Sequence, residues 1–401
     1  MDMFDTANNR DSERGTALIL ALMFTTVVVG IVTTGTLTLK SQIVHNRTLF
    51  ITNYQAVMAA RSGLTEGLSW LRRQTSQPVT VFAPELDTSA VPPVLDTEDP
   101  DVGLVRDFKI SGNLWARYEV WKEWAADPDS ERLAWREQFD CTDVSVAKVG
   151  GTAGSAWRLR SVGYVYRQMD ANAAFNEAPN LVLATEFAET DVLRAVINLP
   201  GQAAINVSTG GSCSINSGGR VYGNGLAAIY YPSGTGTPST GGTVTGTPGL
   251  SAGSSYDDSY DAVFGLTFAE LSSMADQVVT TSSNFPSPLP DNALIVSSAS
   301  TLTFTSSLPL QGTGLVIAQG NVTINSGSNS LFSGLLYVEG NLTINAPCEI
   351  NGSVICTGTL TVQGSSEIAT VSYDDEVLST LMNTFGNYRQ SNSLFLPRRT
   401  R

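Results

Sequence analysis

The sequence predicts a mainly β protein that begins with a long α-helix, and two observations carry this prediction. Residues 16–39 contain no charged side chain, although the segments on both sides do. Near the other end of the chain, Gly320, Gly340 and Gly358 mark a repeat of 20 and then 18 residues. We therefore expect a long transmembrane and amphipathic N-terminal helix, a small α+β module, and a C-terminal parallel β-helix (solenoid) with a capping helix.

The uncharged segment 16–39 is long enough to cross a membrane. As a helix it would reach about 36 Å at about 1.5 Å per residue, against a bilayer core of about 30 Å. Beyond Lys40 the apolar residues recur every three or four positions, as in an amphipathic helix. These residues are Leu49, Ala56, Ala59, Ala60, Gly63, Leu64, Gly67, Leu68 and Leu71. The pattern predicts one helix over 16–73, within a domain 16–75, which ends before Pro78.

The start of the chain resembles the class III signal region of type IV pilins and pseudopilins, and most closely that of PilX-like pilus assembly proteins. The resemblance rests on residues 14–22, on Asn46, and on the small residues of 56–64. It implies a leader peptide 1–15 that prepilin peptidase removes after Gly15, with Thr16 as the mature N-terminus. It also implies a bacterial inner-membrane protein whose helix contacts lipid and other pilin or pseudopilin subunits. A plain single-pass anchor is the alternative.

One residue departs from the pattern of major pilins. The resemblance predicts a Glu five residues into the mature chain, whereas this chain has Leu20. A carboxylate within a membrane is costly unless it is paired, and in pilins its expected partner is the terminal amine of a neighbouring subunit. A subunit at the tip has no such neighbour above it, so Leu20 favours a tip or minor subunit.

Composition limits the functions of the remainder. The chain has 401 residues and a net charge of −14, which argues against nucleic acid as a partner. Its four cysteines all follow the apolar segment, so in an oxidising periplasm they can pair. Proximity in sequence favours a Cys348–Cys356 disulfide, and buried free thiols are equally compatible. No Cys/His cluster indicates a metal site, and no cofactor is expected.

The domain 76–198 contains patterns typical of strands. Residues 115–120 and 157–166 alternate apolar and polar side chains, as half-buried strands do. These strands predict a small α+β module of the pilin-like form, packed on the end of the long helix.

Residues 199–372 are expected to form the solenoid. Segments 315–325, 335–345 and 353–363 repeat one another, and 203–229 is a weaker copy. An insertion near 232–290 interrupts them, and its first part, 232–255, has so little apolar content that we expect a mobile loop. A capping box formed by Thr267 and Glu270 predicts a short helix within the insertion.

The last region, 373–401, is predicted to be a capping helix and tail. Its acidic start near Asp374 suits a helix N-terminus. Its apolar side, formed by Leu378, Leu381, Met382 and Phe385, is expected to cover the open end of the solenoid.

The repeats carry few groups that could perform catalysis. Between residues 292 and 366 the only acids are Glu339 and Glu349, and no Lys, Arg or His occurs there. A carbohydrate-active β-helix would need clustered carboxyls or a base, and Asp257, Asp258, Asp261 and Asp291 offer the only candidate group. We therefore expect no catalytic residues and no enzyme.

The sequence thus predicts a minor pilin or pseudopilin-like subunit of a type IV pilus or type II secretion-like filament. Its solenoid would be displayed in the periplasm or on the extracellular filament for adhesion or interaction. A static, membrane-anchored envelope protein that binds or scaffolds surface polysaccharide is the alternative, and a β-helix carbohydrate enzyme is a third, weaker one.

Overall fold

The computed structural model describes residues 7–122, 139–147 and 152–395. It contains four helices within that range: α1 (Ala7–Arg73), α2 (Tyr260–Phe264), α3 (Phe268–Met274) and α4 (Asp375–Phe385). Short 3₁₀ turns occupy Ser145–Ala147 and Ser282–Asn284. The chain divides into two compact units, of which the first comprises Met1–Arg61, Arg106–Tyr118 and Val162–Glu186 and the second the remainder.

The strands fall into three groups along the chain. The first group is β1 (Leu86–Asp87), β2 (Val94–Leu95), β3 (Gly103–Ser111), β4 (Leu114–Trp121), β5 (Thr142–Asp143), β6 (Ala156–Arg167) and β7 (Leu181–Leu193). The second is β8 (Ala203–Val207), β9 (Ser212–Ile215), β10 (Gly219–Tyr222), β11 (Ala227–Pro232), β12 (Ser239–Thr240), β13 (Thr243–Thr245) and β14 (Leu250–Gly253). The third is β15 (Gln277–Val279), β16 (Ala293–Ser297), β17 (Thr301–Phe304), β18 (Gln311–Ala318), β19 (Asn321–Ile324), β20 (Ser330–Val338), β21 (Leu342–Asn345), β22 (Cys348–Cys356), β23 (Thr359–Gln363), β24 (Ala369–Tyr373) and β25 (Arg389–Phe395).

The long N-terminal helix is confirmed. Helix α1 ends at Arg73, as predicted, but it begins at Ala7, so residues 7–15 of the predicted leader are helical as well. No proline or glycine occurs among residues 7–14, so nothing in that segment opposes the extension of the helix. The remaining leader residues, 1–6, lie outside the described part of the chain.

In the first unit, small residues of α1 allow strand β6 to approach closely. Ala56 and Ala60 are fully buried, in agreement with the amphipathic pattern. An ideal Cβ on Gly163 of β6 would lie 2.1 Å from the Ala56 carbonyl oxygen. Only glycine fits at this contact, because a side chain on Gly163 would push the strand away from the helix.

The predicted strands of domain 76–198 are confirmed as β4 and β6. They belong to a sheet with the order β25-β7-β6-β4-β3, and β5 pairs with the edge of β6. Strand β25 comes from the C-terminal end of the chain and pairs antiparallel with β7. Within the described part of 76–198 the regular elements are strands and one 3₁₀ turn, so the structure gives no outcome for the helical component of the predicted α+β module.

The C-terminal region is a parallel β-solenoid of about eight turns. Its larger sheet runs β13-β10-β24-β22-β20-β18-β16-β15, with β8, β11 and β14 attached, and its smaller sheet runs β12-β9-β23-β21-β19-β17. Inward residues stack in register, as in the column Val316, Leu336, Val354 and Ile205, all of which are fully buried. Each such side chain contributes about 1.5–3 kcal/mol through its burial.

The turns are not stacked in chain order. Strand β22 pairs through its first half with β24 and through its second half with β8, which precedes it by some 150 residues. One turn of the solenoid is therefore built from two distant segments, β24 and then β8 with β9. Buried side chains close this junction: Ser353 Oγ donates to the Ala203 carbonyl oxygen (2.8 Å), and Asn206 Nδ2 donates to Ser353 Oγ (3.1 Å).

Two expectations about the solenoid are corrected. The segment 232–255 is not a loop throughout, because β12, β13 and β14 pair with β9, β10 and β11 and extend the stack. Parallel backbone pairing forms these strands without the apolar content that a buried core would need. Helix α4 does start at the predicted position, with Asp374 as its N-cap. It lies against β20 and β22, however, in the middle of the stack and not over a terminal turn.

The side chains of α4 follow the predicted pattern with one exception. Leu378, Leu381 and Phe385 are buried, whereas Met382 is 39% exposed. The predicted capping box at α3 is confirmed, since Thr267 Oγ1 accepts from the Glu270 amide and the Glu270 carboxylate accepts from the Thr267 amide.

Candidate interaction surface

The outer face of the smaller solenoid sheet presents a row of hydroxyl groups. The row consists of Thr303, Thr323, Thr343, Thr361 and Ser214, which stand opposite one another in successive strands. Neighbouring strands in a sheet lie about 4.8 Å apart, so the row extends for about 19 Å. All five side chains are half-buried. We call these five residues the hydroxyl row.

Within the described part of the chain, the hydroxyl groups of this row remain available to solvent or to a ligand. Among the described residues none of the five side-chain oxygens has a hydrogen-bond partner. A hydroxyl group can donate one hydrogen bond and accept others, so each member of the row offers both functions to solvent or to a ligand.

On one side of the hydroxyl row, asparagine side chains hold the turns together. Asn321 Oδ1 accepts from the Asn341 backbone amide (2.8 Å), and Asn341 Oδ1 accepts from the Thr359 amide (2.8 Å). At the next turn Ser212 Oγ donates to Thr359 Oγ1 (3.1 Å). These side chains are occupied by contacts between turns and hold this edge of the face rigid.

The other side carries a second ladder of amides. Asn345 Nδ2 donates to the Ile324 carbonyl oxygen (2.8 Å), and Gln363 Nε2 donates to Asn345 Oδ1 (2.9 Å). Asn216 Nδ2 then donates to Gln363 Oε1 (3.2 Å). The hydroxyl row thus lies between two ladders whose polar groups are largely satisfied internally.

The side chains of Asn321 and Asn341 explain why glycine repeats in the sequence. An ideal Cβ on Gly340 would lie 2.7 Å from Asn321 Oδ1, and one on Gly358 would lie 2.6 Å from Asn341 Oδ1. Each glycine therefore makes room for the asparagine of the previous turn. This pairing explains why Gly and Asn recur together at the spacing seen in the sequence.

No charged side chain lies in these strands. Strands β17, β19, β21, β23, β9 and β12 contain no Asp, Glu, Lys, Arg or His. A neutral face with free hydroxyls suits a neutral partner that is itself rich in hydroxyl groups, and it supplies no positive charge to attract phosphates or acidic polymers.

The second functional element is the exposed part of α1. Its span Leu18–Arg73 is long and apolar enough, by length and composition, to cross a membrane, and its most apolar stretch has no buried residue within the protein. Threonine hydroxyls in this stretch donate to carbonyl oxygens one turn earlier, as in Thr26 to Leu22 (2.7 Å) and Thr34 to Gly30 (2.8 Å). Such bonds remove the cost of placing these hydroxyls in lipid.

The predicted processing site lies within this helix. Gly15 and Thr16 are consecutive residues of α1. Because the side chains before Leu18 are outside the described set, the structure gives no contact for either residue. Cleavage after Gly15 stays a prediction.

The predicted disulfide is not formed. Cys348 and Cys356 are free, and they occupy the two ends of strand β22. An extended strand rises about 3.3 Å per residue, so their Cα atoms lie far beyond the limit of about 7 Å for a disulfide. Cys141 and Cys213 are likewise buried free thiols. Burial raises the pKa of all four thiols to about 12.

Of the four aspartates considered as a catalytic group, three lie in or just before α2, and Asp291 precedes β16. The Asp257 carboxylate accepts from the Ser259 amide (2.9 Å), and its bonds to Ser259 lower its pKa. The Asp258 carbonyl oxygen accepts from the Tyr337 hydroxyl (2.6 Å), and Asp261 lies in the first turn of α2. Among the residues that the structure describes, no three His, Cys, Asp or Glu side chains form a group that could hold a metal ion.

The comparisons with known proteins add little. No protein-family model matches the chain, and no curated protein matches it, so the resemblance to PilX-like proteins has no support from these comparisons. One solved structure, the competence-associated pilin ComZ from Thermus thermophilus, is 12% identical over 86% of this chain and 98% of that chain, with a TM-score of 0.17. A TM-score this low carries no argument about fold or function.

The sequence did not reveal the hydroxyl row as a site, although a signal for it was present. Thr323, Thr343 and Thr361 occupy equivalent positions of the three repeats. Alternate residues of a strand point to opposite faces, so threonines at the same position of successive repeats lie on one face of the sheet.

Proposed function

We propose that this protein is a minor pilin-like or pseudopilin-like subunit of a type IV pilus or type II secretion-like filament. The observation that carries the proposal is the single helix α1. Its first part is apolar and exposed, and its second part buries a face of small residues. Such a helix anchors the chain in the bacterial inner membrane until processing, and it then packs among the helices of other subunits.

The solenoid would serve as the displayed part of this subunit. Its rigid stack of turns carries a neutral hydroxyl surface that adhesion or a contact with secreted material can use. Leu20, in the place of the glutamate of major pilins, supports a position at the tip, where a subunit has no neighbour above it to pair with a carboxylate. The partners on this reading are prepilin peptidase, other pilin or pseudopilin subunits and inner-membrane lipid.

Mutation of the processing site tests this proposal. In Gly15→Val the residue before the cleavage point is too large for a site that accepts glycine, so the protein should stay in the membrane fraction and be missing from sheared filaments. Gly236→Val is the matched control, because Gly236 lies outside α1 and a Cβ there meets no atom within 4 Å. Equal amounts of both variants in sheared filaments would contradict the proposal.

A static envelope protein is the second candidate, and the hydroxyl row is the observation that favours it. A membrane-anchored solenoid with a neutral hydroxyl face can hold surface polysaccharide without entering a filament. On this reading the leader remains attached, and Gly15→Val and Gly236→Val behave alike while both retain polysaccharide.

A carbohydrate-active enzyme is the weakest of the three candidates. It would require turnover that depends on Asp257, Asp258 and Asp261. Asparagine variants at these positions should leave every measured property of a filament subunit unchanged, whereas an enzyme would lose its activity.

A further inference from the structure

A polar cavity of about 530 Å³ lies beside the C-terminal end of α1, within the second unit. It is lined by the last turn of α1, by the end of α3 with the residues after it, and by the end of α4 with the start of β25. Arg72, Asp276 and Arg389 are among the residues around it. Two guanidinium groups and one carboxylate supply its charges.

The guanidinium group of Arg72 makes a hydrogen bond through only one of its three nitrogens within the described part of the chain. Its Nε atom donates to the Tyr388 carbonyl oxygen over 2.7 Å. The two terminal nitrogens of the guanidinium have no hydrogen-bond or carboxylate partner among the described residues. Burial, followed by the positive charge of Arg389, lowers the pKa of Arg72. Because Arg72 is exposed, these terminal nitrogens are open to solvent and to a ligand in the cavity.

Arg389 is fixed more firmly. Its Nη1 atom lies 3.0 Å from Asp276 Oδ2, and its guanidinium carbon stands 4.9 Å from the centre of the Phe385 ring. The same Asp276 oxygen also accepts from the Leu294 amide (2.8 Å). Asp276 is thus shared between two donors, and the remaining nitrogens of Arg389 have no partner among the described residues.

From this arrangement we propose that the cavity binds one oxyanion group, a phosphate, sulfate or carboxylate, between Arg72 and Arg389. The two arginines outweigh Asp276 by one positive charge in a chain whose net charge is −14. A planar guanidinium with free donors matches the oxygens of such a group, often through two parallel hydrogen bonds. This anion site is separate from the proposed role in a filament and does not depend on that role.

If residues 16–39 span a bilayer, a lipid headgroup lies too far along α1 to supply this group. Helix α1 is continuous from Leu39 to Arg72, which at about 1.5 Å per residue amounts to about 50 Å. The oxyanion therefore comes from solution or from a soluble macromolecule. Titration with phosphate, sulfate and acetate distinguishes the tetrahedral sources from a carboxylate.

Calorimetric titration of the full-length protein in a non-ionic detergent tests the proposal, in a buffer free of other oxyanions. We expect saturable binding of at least one of the three ions and about a tenfold loss of affinity in Arg72→Gln and in Arg389→Gln. Arg220→Gln is the matched control, since Arg220 is exposed on β10 and its removal changes the net charge equally. Absence of saturable binding to the wild type, or equal affinities in all three variants, would overturn the proposal.

Two further variants separate binding from folding. Arg72→Lys keeps the charge but not the paired donors, so its affinity should lie between those of the wild type and Arg72→Gln. Asp276→Asn keeps an oxygen for the Leu294 amide but removes the competing carboxylate, so it should bind the ion more tightly. Weaker binding by Asp276→Asn in a folded protein would contradict a role of Arg389 as ligand.

Discussion

Arg72 and Tyr388 are joined by a hydrogen bond of 2.7 Å from the Nε atom of the arginine to the carbonyl oxygen of the tyrosine, although 316 residues separate them. The hydroxyl group of the same tyrosine accepts from the Val79 amide (2.8 Å) and donates to the Gly154 carbonyl oxygen (2.5 Å). Tyr388 is fully buried. It therefore ties together the end of α1, the segment after it and the C-terminal strand β25.

Removal of the Tyr388 hydroxyl should destabilise the second unit. In Tyr388→Phe the Val79 amide and the Gly154 carbonyl lose a buried partner, which costs about 1–3 kcal/mol of the free energy of unfolding. Urea unfolding of the full-length protein in detergent measures this. Tyr222→Phe is the control, because no described residue bonds the Tyr222 hydroxyl, and we expect a change within about 0.5 kcal/mol. Equal stabilities of the two variants would contradict the role given to Tyr388.

The stability of the solenoid should be sensitive to a single methyl group beside Asn341. In Gly358→Ala the new Cβ would meet Asn341 Oδ1 at 2.6 Å, so we expect a loss of about 1–3 kcal/mol in the free energy of unfolding. Gly241→Ala should change it little, since a Cβ there has its nearest neighbour at 3.5 Å. In the double variant with Asn341→Ala the two losses should not add, because both act on one contact. Full additivity would show that the glycine is not there to accommodate the asparagine.

The four thiols should make stability fall at alkaline pH. Burial raises the pKa of each thiol to about 12, above an ordinary value of about 8.5. As the pH rises through the ordinary value, the unfolded chain loses thiol protons first, so the free energy of unfolding decreases. One pH unit above that value, each thiol costs on the order of 1 kcal/mol.

Unfolding measured from pH 7 to pH 9.5 checks this prediction. Cys348→Ser should be less stable at every pH, because it buries a hydroxyl, but its stability should decline less steeply. A slope identical to that of the wild type would contradict the assignment of Cys348 as a buried thiol. Reduction should leave the mass of the native protein unchanged, since no cysteine is paired.

The hydroxyl row should matter for binding and not for folding. Replacing Thr323, Thr343 and Thr361 together by valine keeps the β-branched shape that strands favour and removes three hydroxyls that make no bond within the described protein. We expect a change in stability of less than about 1 kcal/mol and a clear loss of retention in gels that contain a neutral polysaccharide. The control is Thr245→Val, on the exposed edge of the larger sheet. Retention of the triple variant equal to that of the control would contradict a binding role for this face.

Local patterns in the sequence predicted most single elements. The absence of charge over residues 16–39 indicated α1, and the Gly-Asn repeats indicated three turns of the solenoid. Both patterns involve residues that are close in sequence, so they can be recognised in a single sequence. The capping box at Thr267 and the N-cap at Asp374 were also predictable, because a cap involves only a few consecutive residues.

Long-range pairings were not predictable in this way. The insertion of β24 between β22 and β10 joins strands that are about 150 residues apart in the sequence, and no local pattern marks it. The strands within 232–253 were mistaken for a loop because their stability comes from pairing and not from apolar side chains. Arg72 and Arg389 were likewise not recognised as neighbours, since only the fold brings them to one cavity.

The measurement that tests the central claim most directly is mass spectrometry of the N-terminus of the protein purified from its native membrane, with and without the cell's prepilin peptidase. The account predicts a mature chain that begins at Thr16 only when the peptidase is present. An intact leader in both strains would contradict a place in the pilin pathway and leave a membrane-anchored solenoid of the cell envelope.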